Sequence, residues 1–449
     1  MRRYRGRPIG SPGCLVALLA AAVLARDARG NGAFPDEFSI HFPASAPQRI
    51  QVGANFGLLV SEDDGATWRY ACEPWVTEGS SAALTQDNVS FYHLTADGAM
   101  IALSREVTRT EDDACSWPPS SGVIIGKVVN DFFPDPNDGT LVLAVVVDPG
   151  GSYVVASHDG GKTFVDPPIY TSPGLITGLE LSRSSPGVIY VTSVPFSGSG
   201  ATLARSDDYG AHWAPPVTMS IPSGSEPLIM AIDPEDANTV YLRVVSALND
   251  SVVITTNAGQ SFDTPLTITG QFSSFLRASD GALYAGTVAG QLYVRAPGAT
   301  EFTNHAGPHF RCLGQRAGTS RIFACGDMGL DGFSVGYSDD NGATFHRMMS
   351  FIDLLGPLTC APVATNCAAH WERVQGVLGI TPPSDGGTDG GAPDAGAPDA
   401  GQGQPDAGST PPSSPGQPKS GCSSTGGNAV AVLVLIVGVA LLLPRRSKS

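Results

Sequence analysis

Ser61-Glu62-Asp63-Asp64-Gly65-Ala66-Thr67-Trp68 is written again as Ser157-His158-Asp159-Gly160-Gly161-Lys162-Thr163-Phe164, as Ser206-Asp207-Asp208-Tyr209-Gly210-Ala211-His212-Trp213 and as Ser338-Asp339-Asp340-Asn341-Gly342-Ala343-Thr344-Phe345. A looser copy begins at Thr255 and ends at Phe262. Recurrence at a fixed spacing is the mark of a repeat architecture. Ser157, Ser206 and Thr255 are 49 residues apart, whereas Ser61 and Ser157 are 96 apart, so another copy belongs midway. Thr110-Glu111-Asp112-Asp113-Ala114-Cys115-Ser116-Trp117 lies there, with Ala in place of Gly. The 83 residues from Thr255 to Ser338 leave a second gap, filled by Arg295 to Phe302, which keeps little but the aromatic. The repeats number seven, five clear and two eroded.

Each copy follows β-rich runs, such as Thr140 to Val147 and Ser152 to Ala156 before Ser157. Asp and Asn side chains bond the amides of a tight turn, Gly supplies a positive φ, and the eighth-position aromatic opens the returning strand and packs inward. A unit of about 40 to 50 residues with several short strands is a propeller blade, which cannot bury both faces alone. The expected fold is all-β, a seven-bladed β-propeller. A second marker, an acidic or Gly-rich turn such as Asp135-Pro136, Asp233-Pro234, Pro186-Gly187 or Asp280-Gly281, is expected to join the inner strands of each blade.

At these residues the chain resembles the Asp-box, or bacterial neuraminidase repeat, propellers, over roughly residues 38 to 355. The resemblance implies a structural role for Ser61, Asp63, Gly65, Trp68, Ser157, Asp159, Gly161, Phe164, Ser206, Asp208, Gly210, Trp213, Ser338, Asp340, Gly342 and Phe345, at the blade periphery and away from the central funnel. Fold does not dictate function, and these aspartates receive no catalytic role.

Composition agrees: 54 Gly and 36 Pro in 449 residues, with 42% apolar and 15% charged, suit short strands joined by turns. A formal charge of −16 argues against a nucleic-acid partner. Arg2, Arg3, Arg5 and Arg7 precede an apolar run from Cys14 to Leu24 and then Ala28-Arg29-Gly30, the order of a cleavable export signal over residues 1–30. Cys14 lies ahead of the apolar run, which is the wrong side for a lipoprotein cysteine.

The propeller is assigned to residues 31–357 and a small cap to 358–380. Residues 381–420 form a linker that repeats Pro-Asp-Ala-Gly at Pro393, Pro398 and Pro405 and is expected to stay extended. Residues 421–449 hold Gly421-Cys422, an apolar stretch from Ala429 to Leu443, and Arg445, Arg446 and Lys448. The arrangement resembles the tripartite C-terminal sorting signals of myxobacterial surface proteins, which implies anchoring at Cys422. The alternative is a plain membrane-spanning helix with an incidental Cys, since basic residues after an apolar segment also stop transfer.

Cys72, Cys115, Cys312, Cys325, Cys360 and Cys367 are an even number in an exported chain and read as disulfides. Six cysteines allow 15 pairings, and sequence does not choose among them. Proximity suggests Cys312 with Cys325 and Cys360 with Cys367, leaving Cys72 for Cys115. No His clusters with them, so zinc is not expected.

For closure, Phe38 to Phe42 is expected to add a strand to the last blade and remove the open edge. Cys360 to Ile380, with Trp371, then makes a disulfide-closed cap or short helix.

A sialidase, the familiar enzyme on this repeat, grips a carboxylate with three arginines, since the planar guanidinium bonds both oxygens. The family's Phe/Tyr-Arg-Ile-Pro signature is absent; Arg49-Ile50 is its nearest echo. Arg243, Arg277 and Arg311 lie at later strands, and Tyr190, Tyr241, Tyr284 and Tyr293 are available, but exposed or turn-supporting Arg is the common case. The eight His are scattered, and there is no nucleophile elbow, phosphate loop or dinucleotide fingerprint. No catalytic residue, metal ligand or cofactor is assigned. The expected function is a surface-anchored, non-catalytic propeller, touching the membrane only through its C-terminus, that binds an extracellular protein, peptide or glycan. The alternative is a sialidase-like exo-glycosidase with a degenerate signature.

Overall fold

A computed structural model describes residues 37–77, 91–104, 106–196 and 200–380. The export-signal residues, the linker, Cys422 and the C-terminal apolar run lie outside the described residues.

The repeat folds into seven sheets in chain order. Blade one holds β1 (Glu37–His41), β2 (Ile50–Ala54), β3 (Gly57–Ser61) and β4 (Arg69–Cys72); blade two holds β5 (Phe91–Leu94), β6 (Met100–Leu103) and β7 (Val107–Thr110). Blade three is joined by β8 (Ser121–Gly122) and built from β9 (Val128–Pro134), β10 (Val142–Asp148), β11 (Gly151–Ser157) and β12 (Thr163–Ser172). Blade four has β13 (Leu175–Leu181), β14 (Ile189–Val194), β15 (Thr202–Ser206) and β16 (Val217–Thr218); blade five has β17 (Glu226–Ile232), β18 (Val240–Val245), β19 (Asn249–Thr255) and β20 (Asp263–Thr269). Blade six has β21 (Phe272–Arg277), β22 (Leu283–Thr287), β23 (Gln291–Arg295) and β24 (Thr303–Ala306); blade seven has β25 (Cys312–Gln315), β26 (Ile322–Cys325), β27 (Val335–Ser338) and β28 (His346–Met349). All neighbours within a blade pair antiparallel except β8, which runs parallel to β12.

The first strand of each blade is innermost. β1 meets β5, β5 meets β9, β9 meets β13, β13 meets β17 and β21 meets β25, and β25 closes on β1. The middle strands are the core: β2, β3, β6 and β22 are buried along their whole length, and apolar clusters fill the spaces between blades. Such side chains leave water on both faces of the sheet, worth roughly 1.5–3 kcal/mol for each fully buried Val, Leu, Ile or Phe. The acidic and Gly-rich turns join first to second strands as expected, with Asp135 and Asp233 each accepting the amide two residues on, at 2.7 and 2.9 Å.

Closure differs from the expectation. Residues 37–41 are the inner strand of blade one and pair with β2, not with blade seven, against which the chain here packs: Ile40 lies against Gly314, and the Phe42 and Phe323 rings are 4.7 Å apart. The open edge at β4 is covered instead by chain that follows the last blade. Leu355 N donates to Trp68 O at 2.9 Å, Tyr70 N to Gly356 O at 3.1 Å and Leu358 N to Tyr70 O at 2.9 Å. β8, leaving blade two, covers β12 of blade three in the same parallel manner. The outer strand of blade two is reduced to a bridge between Thr108 and Pro119, because Pro118 and Pro119 bring no N–H to the ladder.

Two short helices of four residues, α1 (Glu73–Val76) and α2 (Met328–Asp331), sit within the ring. After it come α3 (Ala361–Asn366) and α4 (Ala368–Leu378). Val363, Cys367 and Val374 of this cap join the core of blade one, and the Trp371 ring packs at a tilt against Tyr70 with centroids 5.6 Å apart. Among the described residues no helix is long and apolar enough to cross a membrane.

The cysteines correct the sequence expectation. Cys312 and Cys325 are bonded, as opposite residues of β25 and β26. Cys72 is bonded to Cys367 and Cys115 to Cys360, not Cys72 to Cys115 or Cys360 to Cys367. Proximity in sequence misled because the ends of a ring meet, so the cap lands on blades one and two rather than folding on itself.

Candidate functional site

The repeated phrase forms the turn between third and fourth strands. Ser61 Oγ donates to Asp63 Oδ1 at 2.9 Å and accepts from Gly65 N at 2.8 Å, while Asp63 accepts from Thr67 N at 2.8 Å and Thr67 Oγ1 at 2.6 Å. Trp68 Nε1 closes on Gly65 O at 3.0 Å. The Ser–Asp–Gly bonds repeat at Ser157, Ser206 and Ser338, and Thr255 with Asn257 reproduces them. Hydrogen bonds from Thr344 and Ser338 hold the Asp340 carboxyl down at about 2. Trp68 and Phe164 are buried, while Trp213 and Phe345 pack at the margins of their clusters.

The copy at Thr110, eroded in sequence, is intact in space. Thr110 and Asp112 make the same bonds, and Ala114 holds φ 68° where the other copies have Gly. The site at Arg295 keeps only the hairpin, with the guanidinium over the Phe302 ring at 5.8 Å. In the six hydrogen-bonded copies the Ser or Thr hydroxyl and the Asp or Asn side chain bond within their own turn, which leaves them a scaffold.

The arginines do not converge as free groups. Arg243, on β18, gives Nε and Nη2 to Asp250 at 2.7 and 2.6 Å. Arg277, ending β21, bonds Asp233 at 3.0 Å and approaches Glu235 at 3.5 Å. Arg311 faces Asp327 at 3.6 Å, and Arg49 is shared between Glu62 and Asp113. Three of the tyrosines are likewise engaged, Tyr241 donating to Asp233 at 2.7 Å, Tyr190 to Ala237 O at 2.9 Å and Tyr293 to Gln291 Oε1 at 3.2 Å, and Tyr284 is buried. An arginine already paired with a carboxylate of its own chain is a poor grip for a substrate carboxylate.

The inner strands bring together four ionisable side chains that sequence reasoning passed over: His41 on β1, His93 on β5, Asp131 on β9 and Glu180 on β13. All lie near the axis in adjacent blades. Burial pushes Asp131 up to about 7 against hydrogen bonds from Phe132 N and Leu179 N. Burial also pushes Glu180 up to about 8 against a hydrogen bond from Ile232 N, and the neighbouring Asp131 adds to the rise. Burial lowers His41 to about 3, with His93 adding to it, and lowers His93 to about 4. The fold therefore prefers all four uncharged. The carboxyls also stitch the ring, since Asp131 bonds an amide of blade four and Glu180 an amide of blade five. The available signal was an ionisable residue inside an otherwise apolar first strand, as in Phe91-Tyr92-His93-Leu94. Among the described residues no group of His, Cys, Asp and Glu is arranged to hold a metal ion.

One open cleft of about 470 Å³ lies at the rim, where the reduced fourth strand of blade two leaves space beside Arg109, Glu111 and Lys162. These charges satisfy one another, with Glu111 taking both Arg109 and Lys162 at 2.7 Å.

No family model matches the chain, and no curated protein matches it. Among solved structures it is similar to YCF48 from Cyanidioschyzon merolae, with 14% identity over 65% of this chain and 96% of that one at a TM-score of 0.46. It is similar to the Dos1 propeller, with 10% identity over 70% and 81% of the two chains at a TM-score of 0.46. It is also similar to YCF48 bound to D1 peptide, with 15% identity over 49% of this chain and 66% of that one at a TM-score of 0.35.

Proposed function

We propose that the chain is an exported Asp-box propeller, held at the cell surface by its C-terminal segment, that binds an extracellular polypeptide or glycan without transforming it. The observation that carries the non-catalytic reading is the pairing of Arg243, Arg277 and Arg311 with Asp250, Asp233 and Asp327. Three disulfides support an oxidising destination. The basic, apolar, small-residue order of residues 1–30 and the Gly421-Cys422 signal support export and anchoring.

Two measurements on the full chain test this. Protease applied to intact cells of the native organism is expected to cleave the propeller, and Cys422→Ala to shift the protein from the cell fraction to the medium; protection from protease overturns surface display. The purified chain is expected to give no turnover of a fluorogenic sialoside panel. Reproducible release of fluorophore would establish the glycosidase alternative in its place.

A further inference from the structure

The turns between second and third strands all open on one face of the ring, because the inner strands run side by side in the same sense. In four consecutive blades that turn puts a large apolar side chain into solvent. Phe196 of blade four is 54% exposed, Leu248 of blade five 77%, Val288 of blade six 43% and Leu330 of blade seven 68%. Phe91 and Val128, which open β5 and β9 at the same face, are also exposed. A single exposed apolar residue is ordinary, but recurrence at the equivalent turn of four neighbouring blades sets four apolar tips on the same face.

Two of these tips are held in place. Asp327 caps α2 by accepting from Gly329 N and Leu330 N at 2.9 and 3.0 Å, and Asp331 accepts from His309 Nδ1 at 2.8 Å and Asp327 N at 2.7 Å. At Leu248, Ser246 Oγ donates to Asn249 O at 2.7 Å and Gly270 N to Leu248 O at 3.1 Å. Fixed apolar tips bind without a further ordering cost.

Charge selects the partner. Many of the 35 Asp and Glu that residues 37–380 carry against 16 Lys and Arg lie in turns on the opposite face, so the charge of this face is read from its own residues. On this face Lys127, Arg243 and Arg311 already face Asp148, Asp250 and Asp327, and Glu226 stands at the start of β17 besides. Around the four tips Arg243 and Arg311 stand among four acids, Glu226, Asp250, Asp327 and Asp331, so the local balance is acidic. We propose that Phe196, Leu248, Val288 and Leu330 form a docking surface for a basic polypeptide segment bearing apolar side chains. This rests on the binding reading above and gives it a surface and a partner chemistry. An anionic bilayer, the other apolar phase such tips would enter, is repelled by the same charge.

The test uses the full chain and three labelled twelve-residue synthetic peptides, alternating Leu–Lys, Ser–Lys and Leu–Glu, followed by fluorescence anisotropy. The Leu–Lys peptide is expected to bind at least about tenfold more tightly than the other two and to weaken with salt. Combining Phe196→Ser, Leu248→Ser, Val288→Ser and Leu330→Ser is expected to reduce it to the Ser–Lys level with the melting temperature unchanged. Tyr209→Ser, an exposed position in a repeated turn on the opposite face, is expected to leave it intact. No binding of Leu–Lys, equal binding of Leu–Glu, or unchanged affinity in the fourfold variant overturns the proposal. Co-sedimentation with phosphatidylglycerol vesicles that the fourfold variant loses would overturn it in favour of lipid. Surface display and sialoside turnover involve none of these four residues, so the two readings fail separately.

Discussion

Cys367, at the junction of α3 and α4, is bonded to Cys72 at the end of β4, 295 residues earlier, with Cα atoms 5.5 Å apart. Cys115 and Cys360 repeat the link across 245 residues, so the cap that follows the last blade is fastened to both of the first two. A cross-link acts largely on the unfolded chain, and more so the longer the loop it closes. Replacing Cys72 and Cys367 together by Ala is expected to lower stability by about 2–4 kcal/mol, read as a lowered urea midpoint. Limited proteolysis of that variant should cut first between residues 355 and 380, where the chain no longer holds the edge of β4.

The four inner-strand groups set a pH profile. Asp131 and Glu180, raised to about 7 and 8, contribute stability that is full below their unfolded values and is lost as pH rises through the folded ones. His41 and His93, lowered to about 3 and 4, contribute stability present above 6.5 and lost as pH falls through their folded values. Between about pH 4.5 and 6.5 these two slopes cancel, and His370, which burial lowers to about 4, leaves stability rising by about 1.4 kcal/mol per pH unit. From pH 6.5 to 8 only the carboxyl slope remains, and stability is expected to fall by about 2–3 kcal/mol. Denaturant melts at half-unit steps check this, and Asp131→Asn with Glu180→Gln should flatten the alkaline arm while leaving the acid arm in place.

Ala114 occupies a left-handed conformation that the clear copies give to Gly. Ala114→Gly removes that strain at the cost of a looser unfolded chain, for a net gain of up to about 1 kcal/mol. At the equivalent Gly161, with φ 88°, an added Cβ would come to 3.0 Å from Ile101. Gly161→Ala is therefore expected to cost about 1–2 kcal/mol. Opposite signs at matching positions, measured by thermal melts, are the point of the pair; a loss at both would show that Ala114 is not strained.

Spacing alone made the blade count legible, including the copy at Thr110, because the turn chemistry survives the loss of its Gly. Closure and two of the disulfides were not legible, since both depend on which distant segments a ring brings together. The segment covering β4 has no periodicity of its own: Leu355-Gly356-Pro357-Leu358 contributes backbone groups and little else. The inner-strand groups were missed for a related reason. His93 and Glu180 lie in different repeats and look incidental until seven first strands are seen to share an axis. The apolar tips at Leu248 and Leu330 sit in turns of different length, which hides their equivalence from any fixed offset.

Arg277 and Asp233 join blades six and five through a pair in which each side chain is 9% exposed. Burial opposes ionisation of Asp233, yet hydrogen bonds from Glu235 N, Tyr241 and Arg277 keep its carboxyl below the ordinary range. Removing one partner of such a pair leaves a buried charge without its counterion, which costs about 3–5 kcal/mol. Arg277→Met is thus expected to destabilise the propeller by that amount. Adding Asp233→Asn removes the stranded charge but keeps an acceptor for Tyr241, and should recover a substantial part of the loss. Unfolding midpoints of the two single variants and the double variant close a thermodynamic cycle. A double variant no better than Arg277→Met alone would mean that the side chain holds the blades by packing rather than by charge.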